Sequence, residues 1–62
     1  MTPLTTLVAR LERELASCTA EIDRADTPAD AAATVTYRLG IRVALTMARV
    51  ALKEESAAVH AA

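Results

Sequence analysis

Val35-Thr36-Tyr37-Arg38-Leu39-Gly40-Ile41-Arg42-Val43-Ala44-Leu45-Thr46-Met47 is the stretch that decides the fold, because it reads two ways. Every second residue is apolar: Val35, Tyr37, Leu39, Ile41, Val43, Leu45 and Met47. Gly40, a poor helix former, stands near the middle. That is the period of a half-buried strand. A lone strand over 35–47 needs a mate from another chain, so this reading gives a helix-strand-helix chain in an intertwined dimer.

The competing reading is helix, and it is favoured. The flanks, 29–33 and 48–55, are rich in alanine, leucine, lysine and glutamate, which are strong helix formers. No Asn, Asp, Pro or further Gly lies between them to supply the two boundaries a strand requires. Placed at 100° intervals with Gly40 at zero, the residues also sort by chemistry. Arg38, Arg42, Arg49, Lys53 and Ser56 gather on the side opposite Gly40. Thr36, Gly40, Ala44 and Ala51 form a valley of small residues, with Met47 beside it. Val35, Leu39, Val43 and Val50 make a ridge on one flank; Tyr37, Ile41, Leu45 and Leu52 make a ridge on the other. The apolar arc spans roughly 240°, far wider than the stripe of about 100° that one neighbouring helix covers.

Working outward, Asp26-Thr27-Pro28-Ala29-Asp30 is the strongest punctuation in the chain. Thr27 has the chemistry of an N-cap, Pro28 suits the first helical position, and Asp30 places a carboxylate in the first turn. Upstream, Thr2-Pro3 repeats the same cap signal. From there Leu4, Val8, Leu11, Leu15, Cys18, Ile22 and Ala25 recur at alternating steps of four and three, an apolar heptad seam. Glu12, Glu14 and Glu21 flank that seam. The expectation is a single all-α domain over 1–62: helix 1 at about 3–25, a turn at 26–27 and helix 2 at about 28–59. So short a connection makes the pair an antiparallel hairpin.

Composition says what such a hairpin lacks. A chain of 62 residues removes too little surface from water to be comfortable alone, and small domains usually add a disulfide, a metal or a partner. One cysteine, Cys18, allows no internal disulfide, and one histidine, His60, allows no internal Cys/His zinc site. Fifteen of the 33 hydrophobic residues are alanine, and Tyr37 is the one aromatic, so the larger aliphatics must do the packing. Self-association is the remaining staple. The expected assembly is a homodimeric four-helix bundle, dimer before tetramer, with Thr36, Tyr37, Gly40, Ile41, Ala44, Leu45, Met47 and Ala51 at the contact between copies.

Function is narrower by exclusion than by motif. Cys18, at a seam position, reads as a small buried apolar residue, and His60 as a solvated one. The carboxylates are scattered along helix edges, without the inward-facing Glu and His spacing of a di-metal bundle. The chain therefore reads as non-enzymatic, with no cofactor, metal or small-molecule substrate. The expected role is a structural or interaction module: an adaptor, regulator or assembly factor. The basic stripe Arg38, Arg42, Arg49 and Lys53 is the alternative feature, a docking strip for an acidic protein or for nucleic acid. A net charge of -1 predicts no general attraction to polyanions or anionic membranes. The arginines also interrupt every long apolar run, so no bilayer span is expected, and a lone thiol with no export signal suggests a cytoplasmic setting.

Overall fold

A computed structural model describes residues 2–61, and among them two helices account for almost everything: α1, Pro3–Arg24, and α2, Pro28–Ala61. No strand occurs among the described residues, so 35–47 is helix and the helix-strand-helix alternative is overturned. The physical reason lies in the apparent period of two. In a helix, positions two apart fall on opposite flanks, and positions four apart share one. The alternating pattern is therefore two interleaved rows, Val35–Leu39–Val43–Met47 and Tyr37–Ile41–Leu45, on the two sides of one helix.

Each helix starts where its cap dictates. Thr2 is extended, and its hydroxyl oxygen accepts from the Thr5 N–H at 3.2 Å ahead of Pro3. Thr27 does the same for α2, accepting from the Asp30 N–H at 3.1 Å, with the Asp30 carboxylate in the first turn favouring the helix dipole. α1 stops when Ala25 turns extended, its N–H donating to the Ile22 carbonyl at 3.2 Å. The link is thus Ala25–Thr27, one residue earlier than the expected turn, and α2 continues two residues beyond the expected end.

The hairpin core is thin. Val8, Cys18, Ala31, Leu45 and Ala48 are buried, and Leu11, Leu15 and Leu52 pack around the centre formed by Val8, Leu45 and Ala48. Alanines at 31 and 48 let α1 approach α2 closely. A cross-helix hydrogen bond, from the Thr34 hydroxyl to Glu21 at 3.2 Å, ties the turn end of the pair. With 34 residues against 22, α2 outruns α1 by about 18 Å at 1.5 Å per residue. The result is a rod, 52 × 17 × 12 Å between Cα atoms. No helix among the described residues is long and apolar enough to cross a membrane.

Candidate functional site

α1 covers only one side of α2. The covered side is the ridge of Ile41, Leu45 and Leu52: Leu45 is 2% exposed, and Ile41 and Leu52 are half-buried. The opposite ridge is left in water. Val35, Leu39, Val43 and Val50 are all exposed, and Met47 is 67% exposed. Projected at 100° per residue, the uncovered side from Val35 round to Tyr37 spans roughly 200°, and no charged residue falls on it between Ala29 and Leu52.

The polar atoms on that surface are already satisfied. Thr36 donates its hydroxyl to the Ala32 carbonyl at 3.2 Å, and Thr46 to the Arg42 carbonyl at 3.0 Å. Each hydroxyl bonds back to its own helix, so neither needs an outside partner. A Cβ built on Gly40 meets nothing within 4 Å, so the valley of Thr36, Gly40 and Ala44 is open. The five exposed residues Val35, Leu39, Val43, Met47 and Val50 leave roughly 450 Å² of apolar side chain in water, a patch of the size that on monomeric proteins is often functional.

The total surface is large. The chain exposes 4701 Å² for a mass of 6.6 kDa. A compact monomer of that mass is expected to expose roughly 3,900 Å². The excess, about 800 Å², goes with the rod shape, in which α2 outruns α1 and residues 53–60 stand exposed.

The two edges of the hairpin differ in charge. On one edge Arg38 is half-buried beside Leu15 and Thr19, and Arg42 stands exposed between that groove and the apolar patch of Leu39, Val43 and Met47. Arg49 reaches Glu12 at 3.9 Å with both side chains more than half exposed, which is worth about 0–1 kcal/mol. Among the described residues this is the one ion pair, so Arg38 and Arg42 have no carboxylate partner there. Lys53 is exposed, one turn farther along α2.

The other edge gathers Glu14, Ser17, Cys18, Glu21, Thr34 and Tyr37 around a shallow groove. Tyr37 is 54% exposed, so it sits at this edge rather than in the core. The Glu14 carboxylate beside it raises the pKa of its hydroxyl, by charge first, with desolvation adding to the shift. Cys18 is 4% exposed, and burial pushes its thiol above the ordinary value, with Glu14 and Glu21 adding to the shift. Such a thiol is inert at neutral pH. His60 stands exposed near the far end of α2. Among the described residues no three of His, Cys, Asp or Glu come together as a metal site.

The residues expected at a contact between copies therefore divide. Thr36, Gly40, Ala44, Met47 and Ala51 line or border the uncovered side, and Tyr37 marks its limit. Leu45 instead packs against α1 and is closed to a second chain within this hairpin, and Ile41 is half-buried beside it. Val35, Leu39, Val43 and Val50 were not in that set, yet they are its most prominent apolar members. Their four-residue spacing with Met47 is the signal that finds them.

No protein-family model, curated protein or solved structure matches this chain.

Proposed function

We propose that the chain is a small interaction module whose activity is to pair with a second copy of itself through the uncovered side of α2. The observation that carries this reading is the uncharged, uncovered arc of that helix, bare over some six turns. A second copy suits it on two counts. The exposed row of Val35, Leu39, Val43 and Met47 forms one apolar patch, which a like patch on a second copy covers. The patch also presents a ridge beside a valley, which a two-fold partner fills with its own ridge. Two chains then contribute four helices, the α2 pair in the middle and each α1 outside. As an adaptor, regulator or assembly factor, the dimer offers its outer edges to other molecules and acts without catalysis.

Sedimentation equilibrium from 1 to 100 μM tests the pairing. A mass near twice that of the chain supports it, and Val43→Asp should then give the monomer mass. A wild-type chain that stays monomeric throughout refutes it.

The lack of acidic partners for Arg38 and Arg42 favours one second reading, an edge that docks on phosphates or an acidic protein. Binding of short duplex DNA that weakens steeply with salt supports that reading. Absence of binding at low salt removes nucleic acid from it.

A further inference from the structure

We infer that the groove between α1 and α2 at Leu15, Thr19, Arg38 and Arg42 binds a single terminal phosphate, the dianionic group of a phosphomonoester. The inference rests on the second reading above and narrows it to one chemistry and one place. Leu15 and Thr19 of α1 line the groove, so it lies on the edge of the hairpin, off the face proposed to pair.

The case begins with the ladder of side chains along that edge. α2 supplies Arg38, Arg42 and Arg49 at steps of four and seven, which helical spacing places on one face. α1 runs the other way and supplies Glu12, Thr19 and Asp23 at steps of seven and four. Arg49 has its rung filled by Glu12, at 3.9 Å. One heptad back along α2 and one heptad forward along α1, the next rung sets Arg42 beside Thr19. The Thr19 hydroxyl donates to the Leu15 carbonyl at 3.1 Å and brings no charge to the rung. Asp23 stands a further turn toward the link, and among the described residues no ion pair joins it to either arginine.

Two cations one turn apart repel each other. Arg38 is half-buried against the groove, which limits the rotamers open to it. A guanidinium presents paired N–H donors whose spacing matches the oxygens of a phosphate. A group with two negative charges and three free oxygens satisfies both arginines at once. A carboxylate or a phosphodiester carries one charge and leaves one arginine uncompensated. The groove, about 300 Å³, is at the small end of ligand pockets and suits one such group.

The flanks decide against a longer polyanion. Glu12 at one end and Asp23 at the other place negative charge on both sides of the arginine window, where an extended backbone would carry its next phosphates. A net charge of -1 adds no long-range attraction.

The test follows the Nε–Hε resonances of the six arginines of the wild-type chain through titrations at constant ionic strength, with sodium chloride as the balancing salt. The pH is held at about 8, where phosphate monoesters are dianionic. The probes are inorganic phosphate, a blocked phosphoserine peptide, dimethyl phosphate, a short duplex DNA and a polyglutamate peptide. Saturable shifts at Arg38 and Arg42 are expected with phosphate and the phosphopeptide, and several-fold weaker binding with dimethyl phosphate. Arg10, Arg13 and Arg24 should not move. A phosphopeptide that binds more tightly than inorganic phosphate assigns the group to a phosphorylated protein, and equal binding assigns it to a small molecule; both support the inference. Thr19→Glu supplies the missing rung from within the chain and should abolish the shifts. Thr19 is exposed, so circular dichroism should report unchanged helicity.

Equal shifts at Arg10, Arg13 and Arg24, no shift at all, or full binding by Thr19→Glu overturns the inference. Dimethyl phosphate binding as tightly as phosphate overturns the choice of a dianion, and the inference with it. Binding of the duplex or of polyglutamate at Arg38 and Arg42 without phosphate binding also overturns it, but leaves the second reading standing. An edge that binds none of the probes refutes both.

Discussion

Leu39 and Leu45 make a matched experiment, because the same truncation on two sides of one helix should act through different contacts. Leu45 is 2% exposed and packs with Val8 and Ala48 inside the hairpin. Leu45→Ala opens a cavity there and should cost about 2–5 kcal/mol of stability per chain, independent of what α2 meets outside. Leu39 is 61% exposed in the hairpin, so within a lone chain its truncation costs almost nothing. If a second copy covers the patch, that exposed fraction becomes buried. Full burial of a leucine is worth about 1.5–3 kcal/mol, so Leu39→Ala should cost about 1–2 kcal/mol per chain. Two chains lose about 2–4 kcal/mol, which weakens the dimer roughly 30- to 700-fold. The assay is urea unfolding followed by circular dichroism at several protein concentrations, paired with sedimentation. Leu45→Ala should lower the midpoint at every concentration. Leu39→Ala should act through the dimerisation constant and steepen the concentration dependence at low micromolar protein. A Leu39→Ala chain with wild-type midpoint and wild-type mass would refute the reasoning, since the exposed row would then be bare in solution too.

Three further outcomes follow from the same geometry. Gly40→Ala should be tolerated and Gly40→Leu should split or rearrange the dimer while leaving the hairpin helical, because nothing in the hairpin lies within 4 Å of a new Cβ; sedimentation beside circular dichroism reads both. The Cys18 thiol should resist labelling at neutral pH, and its raised pKa sets a sign for alkaline stability. The unfolded thiol ionises first, near pH 9.0, so stability present below that pH is lost as the pH rises through the higher folded value; Tyr37 acts in the same direction at somewhat higher pH. A base titration of the unfolding midpoint checks this, and Cys18→Ala should flatten the slope near pH 9. Thr27→Ala removes the hydroxyl that accepts from Asp30 N–H and should cost about 1 kcal/mol in thermal or urea unfolding.

Much of the hairpin was legible in the residues, and the reason is local. Thr2-Pro3 and Thr27-Pro28-Ala29-Asp30 carry their own cap chemistry, and Val8, Leu11, Leu15 and Cys18 mark one face of α1 without competition. The width of the apolar arc on α2 was equally plain, and with it the fact that α1 leaves surface uncovered. What the residues did not disclose is which of two ridges α1 takes. Both ridges are aliphatic, and a wheel gives no preference between Leu39–Val43 and Ile41–Leu45. The choice follows from Ala31 and Ala48, which lie on the Leu45 side and allow close approach, and from the three-residue link that sets where α1 returns. Hence Leu45, expected between copies, is found inside the hairpin. The basic stripe shows the same limit. Its clustering is a property of spacing alone. That Arg49 meets Glu12 while Arg38 and Arg42 meet no carboxylate depends on the register of α1.

The most direct test of the central claim is an isotope-filtered nuclear Overhauser experiment on a one-to-one mixture of labelled and unlabelled chains. Only contacts between different chains give signal in it. Methyl groups of Leu39, Val43 and Met47 should show such contacts, and those of Leu45 and Val8 should not. An absence of signal from the Leu39, Val43 and Met47 methyls, at a concentration where the chain sediments as a dimer, would contradict the account and place the contact elsewhere on the hairpin.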